Sequence, residues 1–216
     1  MKKFDQELDD LRSQVFAMAD MAKEMLQGIT ESLRTGETSV ARHIYALEYR
    51  MDQMELDIDH EAIRLLTVYS PVASDLRFVL GATKIASELE RIGDQTTNVC
   101  KYIELVAGNK EIPSLKIVIK MCELVASMLD DTVESFRDAD CDKAHIVIRT
   151  DNRVDAFNDQ VLQEVLSMTG VSTAVSLGVI LIARAIERMG DQCTNICEEI
   201  VYFAKGDDIR HSKLGN

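Results

Sequence analysis

Tryptophan is absent, and among 216 residues proline occurs only twice and glycine ten times. These two residues are what most often interrupt helices, so their scarcity permits long helices almost everywhere along the chain. No stretch supplies the roughly 18 uninterrupted apolar residues of a membrane span. The best candidate, GVSTAVSLGVILIA, is bounded by Arg184. The opening MKKFDQELDD is charged throughout and lacks the apolar centre of a secretory signal, which gives the expectation of a cytoplasmic protein. Positive charge is also in deficit. With 37 acidic against 24 basic residues the formal net charge is -13. Such a field repels phosphate backbones and anionic lipid headgroups, so nucleic acid is not an expected partner. The five cysteines are odd in number and contain no CxxC pair. They are expected as reduced core thiols, not as a disulfide framework. No phosphate-cradling glycine loop, nucleophile elbow or Ser-His-Asp order occurs, and no catalytic residue is assigned.

What the chain does have is hydrophobic periodicity. Phe4, Leu8, Leu11, Val15, Met18, Ala22, Met25 and Ile29 alternate steps of four and three, which builds one apolar seam along a helix that RTGETS ends. A second seam runs through Leu47, Met51, Met54, Ile58 and Leu65 and stops near YSPVAS, where Pro71 disfavours helical geometry at Ser70. The third uses Ile85, Leu89, Ile92, Thr96, Val99 and Ile103, ending at AGNKEIPS. Val118, Cys122, Val125, Leu129 and Phe136 mark a fourth; Val147, Val154, Phe157, Val161 and Met168 a fifth. Ile182, Ile186, Met189, Cys193, Ile196, Ile200 and Phe203 mark a sixth, before the polar tail KGDDIRHSKLGN. Long helices with heptad-like seams and short connections predict an all-α protein of antiparallel bundles.

Internal repetition decides how the helices group. ELERIGDQTTN (Glu88 to Asn98) returns as AIERMGDQCTN (Ala185 to Asn195), with Glu90 and Glu187 separated by 187 - 90 = 97 residues, as are Asp94 and Asp191, and Asn98 and Asn195. The third helix therefore matches the sixth. Residues 1–108 and 109–216 are expected to form two tandem three-helix bundles, with a single six-helix bundle as the alternative.

The repeated motif carries acids four residues apart. Four residues advance about 400° around a helix, so Glu90, Asp94 and Asn98 form one slowly drifting row. The second helix of each half has a similar step: Glu48 and Asp52 in one, Asp151 and Asp155 in the other. With Leu89 at 0°, its seam falls between about -80° and 0°, while Glu90, Asp94 and Asn98 fall near 100°, 140° and 180°. The rows thus flank the core. Adjacent carboxylates repel, so the arrangement is unfavourable unless a cation or basic partner compensates. Oxygen donors favour hard cations such as Mg²⁺, Ca²⁺, Mn²⁺ or ferric iron, and zinc less naturally. No histidine joins the rows, and the paired Glu-x-x-His motifs of di-iron bundles are missing. The competing explanation is surface ion pairing with Arg91, Arg188 and nearby lysines. Gly93 and Gly190, each preceding the second acid, suit close helix packing or ligand access. Asn98 and Asn195 suit either carboxylate orientation or capping.

The duplicated ERxGD motif, PVASDLR at residues 71–77 and an upstream acid step in each half resemble the PhoU family across nearly the whole chain. The resemblance implies a cytoplasmic, non-enzymatic regulator of phosphate uptake and of the phosphate regulon, built of two three-helix bundles and peripheral to the inner membrane through its partners. It implies metal clusters, iron foremost, on Glu48, Asp52, Glu90 and Asp94 in the first half and on Asp151, Asp155, Glu187 and Asp191 in the second. The implied partners are the ATP-binding subunit of the phosphate ABC transporter, the phosphate-responsive sensor histidine kinase, and further copies of the chain as a homodimer or higher homo-oligomer. Many members have His after the motif's last acid, where this chain has Gln95 and Gln192. The second half has TGVSTAVSL in place of PVASDLR. The alternative is a carboxylate-bridged metalloenzyme acting on phosphate or oxygen, which would need an open coordination position and a nearby acid or base.

Overall fold

A computed structural model describes residues 2–106, 108, 109 and 112–210. Six helices account for the fold: α1 (Lys2–Thr35), α2 (Ala41–Tyr69), α3 (Ala73–Val106), α4 (Pro113–Asp138), α5 (Cys141–Ser167) and α6 (Thr173–Lys205). No strand occurs among the described residues. Of the expected connection AGNKEIPS, Ala107, Lys110 and Glu111 lie outside the described residues, as do 211–216 of the polar tail.

Local chemistry sets the helix ends. Gly36 takes a left-handed φ of 74°, and its amide donates to the Ser32 carbonyl at 2.7 Å, which closes α1. At the end of α2, Ser70 adopts φ 45° and its amide donates to the Leu66 carbonyl, so Pro71 follows a residue driven out of the right-handed region. PVASDLR is more than a connection: α3 begins at Ala73, about three turns before the first seam residue Ile85. Exposed Ser74 and half-buried Asp75 dilute the apolar pattern there, although an acid in the first turn suits the helix dipole. Pro113 at the start of α4 supplies a preset φ where no amide is needed, and the Asp140 side chain caps α5 by accepting from the amides of Asp142 and Lys143, both at 3.0 Å.

Within each half the three helices pack on one another, and the halves meet through α3 against α6 and α1 against α4. The pair α3/α6 forms the most extensive contact and runs antiparallel: Gly81 faces Phe203 and Gly178 faces Leu105 and Val106. Consequently α2 and α5 lie outermost, each touching only helices of its own half. The seam residues of α1, α3, α4 and α6 are buried with few exceptions, and the buried side chains form one continuous core. Thr96, a polar member of the α3 seam, donates its hydroxyl to the Gly93 carbonyl at 2.6 Å and so enters the core satisfied. All five cysteines are free and buried.

Four of the six phenylalanines gather where the halves join. Phe136 of α4 lies 5.1 Å from Phe16 of α1, 6.3 Å from Phe78 of α3 and 5.9 Å from Phe203 of α6, measured between ring centroids. Arg12 stands 4.8 Å over Phe78 and Arg137 5.5 Å over Phe16. Polar ties support the same junction: Lys84 of α3 holds the buried Glu199 of α6 at 2.9 Å, and Lys23 of α1 reaches Asp130 of α4 at 2.7 Å. Leu89, only 2% exposed on α3, is central to this packing. Leu89→Ala is expected to destabilise the chain by about 2–5 kcal/mol in denaturant or thermal melts.

Candidate metal centre

The acid rows occupy the flanks where α2 meets α3 and α5 meets α6. Glu48, Asp52, Glu90, Asp151 and Glu187 are half-buried; Asp94, Asp155 and Asp191 are exposed. Packing brings the rows of neighbouring helices together, as the fields on their carboxyls report. Burial pushes the Glu90 carboxyl up to about 7, reinforced by Asp94 on its own helix and by Glu55 and Asp52 across on α2. Burial, then Asp191, Asp155 and Glu187, raise Asp151 to about 7 as well. Glu48 and Asp52 are raised by burial and by Asp94 opposite, Glu48 also by Asp52. Glu187 and Asp191 are raised by burial and by Asp155 opposite, Glu187 also by Asp191. Each half therefore gathers its four acids into one negative field.

That field is barely compensated. Among the described residues only Glu187 of the eight acids makes an ion pair, with Arg184 at 3.5 Å. Arg91, the expected partner of its row, instead binds Glu88 at 3.0 Å. Asp52 Oδ1 is buried without a hydrogen-bond partner, and on α6 the same holds for Gln192 Oε1 and Thr194 Oγ1. Ion pairing thus fails as a general explanation of the rows. Among the described residues no three Asp, Glu, His or Cys groups stand as a ready-made metal cage. The donor set nonetheless fits a hard cation: oxygen only, with an orphaned buried oxygen and mutually raised carboxyls. Glu48, Asp52, Glu90 and Asp94 would hold it in one half, and Asp151, Asp155, Glu187 and Asp191 in the other.

The glycines before the second acids have a packing reason. A Cβ on Gly190 would stand 2.8 Å from Asp151 Oδ1, so the bare backbone of α6 makes room for a carboxylate of α5. On Gly93 it would meet Met51 Sδ at 3.2 Å, which lets α2 close on α3. The row asparagines act elsewhere. Asn195 donates to Glu88 Oε2 at 3.1 Å across the α3/α6 junction, and Asn98 accepts from Lys101 at 3.1 Å on its own helix. Glu55, whose charge acts on Glu90, lies outside the four-residue step that marks the rows in the sequence. Its i+3 spacing from Asp52 was the available signal.

Two consequences are measurable. Because Glu90 and Asp151 bind protons more tightly folded than unfolded, their contribution is fully present below about pH 4 and is lost as pH rises through about 7. The Tm of chelator-treated protein is expected to fall between about pH 4 and 7 for this reason, and a hard cation should abolish the decline. Gly190→Ala is expected to weaken cation binding by displacing Asp151 while leaving Tm little changed, since alanine favours the helix by about 1 kcal/mol. Titration calorimetry paired with thermal melts checks both parts.

Comparison with known proteins agrees with this architecture. The family described as PhoU domain matches twice, at residues 5–103 and 118–200. The phosphate-specific transport system accessory proteins PhoU of Serratia marcescens and Escherichia coli are each 32% identical over 212 residues, 97% of this chain and 87% and 88% of theirs. The crystal structure of PhoU from Pseudomonas aeruginosa superposes with a TM-score of 0.89 at 28% identity, covering 94% of this chain and 100% of that one. The phosphate transport system regulatory protein PhoU from Streptococcus pneumoniae gives 0.88 at 26% identity, covering 95% and 98%. With both halves matched and nearly the whole length aligned, the chain belongs to the PhoU domain family.

Proposed function

We propose that this PhoU-family chain is accessory to phosphate transport and serves as a non-catalytic, metal-binding adaptor that regulates phosphate uptake and the phosphate regulon. The observation that carries the reading is the doubled field of nearly unpaired carboxylates on an all-helical scaffold related along its length to phosphate-transport accessory proteins. In this reading residues 1–108 and 109–216 are two repeated units with one cation site each. The cation, iron foremost, neutralises the acids and fixes the facing flanks of α2 with α3 and α5 with α6.

The docking partners are the ATP-binding subunit of the phosphate ABC transporter and the phosphate-responsive sensor histidine kinase. The chain works in the cytoplasm at the edge of the inner membrane, where its partners hold it, and no described helix is long and apolar enough to cross that membrane. It also self-associates as a homodimer or higher oligomer. Regulation follows from differential affinity: an adaptor that binds one state of transporter or kinase more tightly shifts the population toward that state.

Protein purified without chelator or metal-affinity resin is expected to contain metal by elemental analysis. Joint Glu90→Ala and Asp94→Ala substitution should lower that content while circular dichroism stays unchanged, since both acids lie off the seam. Pull-down of the phosphate ATPase without phosphatase or ferroxidase turnover supports the adaptor. Reproducible turnover lost in Asp94→Ala would instead establish the metalloenzyme.

A further inference from the structure

The outer face of α2 carries large apolar side chains that the fold leaves uncovered. Tyr45, Tyr49, Leu56 and Ile63 are 41%, 65%, 52% and 62% exposed. With Met51 at 0°, they fall at about 120–160°, whereas the buried Leu47, Ile58 and Leu65 fall between about -40° and -20°. They form one row about 27 Å long on the side away from the core. Single exposed apolar residues are ordinary; a row along one helix face is a binding feature. Tyrosine adds large area at low entropic cost, as interface anchors do.

The row has a chemical edge. Glu48, Asp52, Glu55 and Asp59 run beside it at about 40–100°, on the side toward α3. The duplicated half has no equivalent. Since 151 - 48 = 103, the matching positions on α5 are Ile148, Asn152, Asp159 and Leu166, so the two central apolar residues become polar. The face is therefore a property of the first half, not a by-product of the repeated fold.

Charge selects the occupant. A second copy seated on this face would set two acidic edges against each other, which like-charge repulsion disfavours. An anionic membrane is repelled by a chain of net charge -13. We infer that the outer face of α2 is a docking surface for a cationic amphipathic helix of a partner protein. Its apolar row would seat on Tyr45, Tyr49, Leu56 and Ile63, and its lysines or arginines would face Glu55 and Asp59. Which protein supplies that helix rests on the regulatory reading above; the chemistry of the surface does not.

The probe is a helical peptide about 18 residues long with leucines at i, i+4, i+7 and i+11 spacing and flanking lysines, titrated into the full chain by fluorescence anisotropy. The wild-type chain is expected to bind it, with affinity falling as salt rises, and not to bind the same peptide with glutamates for lysines. Tyr49→Asn with Leu56→Asp gives α2 the residues that α5 carries, so the fold tolerates them. This variant should lose at least about tenfold in affinity with unchanged circular dichroism. Glu55→Gln with Asp59→Asn should weaken binding and flatten its salt dependence. No binding by the wild type, or equal binding by the Tyr49/Leu56 variant, overturns the inference. So does wild-type binding to phosphatidylserine vesicles in place of the peptide, or self-association that the same variant abolishes. Pull-down of the phosphate ATPase, run alongside, reports on the regulatory reading alone.

Discussion

The structure depends first on the antiparallel packing of α3 against α6. These two helices make the most extensive helix–helix contact in the fold, and each also packs on both other helices of its own half. The phenylalanine cluster of Phe16, Phe78, Phe136 and Phe203 closes one end of that junction, and Lys84 with Arg210 fixes Glu199 beside it. Once α3 and α6 occupy the centre, α2 and α5 must lie outside. The flanks between outer and central helices are then places where a helix pair is both packed and accessible. The acid rows lie on those flanks. Repeating the motif thus repeats the acid row, because the repetition acts on the two central helices.

Electrostatics separate these rows from the other charges. Elsewhere the chain pairs its acids readily: Arg64 with Glu7 and Glu61, Arg34 with Glu31 and Glu123, Arg210 with Asp208. Such exposed pairs contribute little stability each, but they show that cations lie within reach across most of the surface. On the flanks, among the described residues, only Arg184 forms an ion pair with a row acid, while Lys101, Arg91 and Arg188 act on Glu48, Glu90, Glu187 and Asp191 without pairing with them. Half-buried carboxylates that share a field and have few counter-ions disfavour the ionised form, with burial the largest cause and neighbouring acids adding to it. A divalent or trivalent cation bound there would reverse that balance, since it favours the same deprotonated groups that solvent exclusion penalises.

Much of this was legible in the sequence, for reasons that differ from element to element. The apolar steps gave all six helices, because Leu11 to Ile29 and Ile182 to Phe203 leave no competing period. Helix ends were less readable: Ala73 opens α3 at φ 50°, a conformation that its side chain does not advertise. The acids could be placed in rows from spacing alone, but whether rows on different helices face each other depends on helix rotation. Rotation is set by contacts such as Asp151 against Gly190, which join residues far apart in the chain. For the same reason Asn195, read as a member of its row, bonds instead to Glu88 in the other half. The phenylalanine cluster has no local signature, because Phe16, Phe78, Phe136 and Phe203 share no sequence spacing.

The central claim is that four carboxylates converge on each flank to hold a hard cation. Anomalous diffraction from crystals soaked in manganese tests it most directly. The account predicts two peaks per chain, one bounded by Glu48, Asp52, Glu90 and Asp94 and the other by Asp151, Asp155, Glu187 and Asp191. Fully soaked crystals with no density on either flank, or with manganese bound only elsewhere, would contradict it.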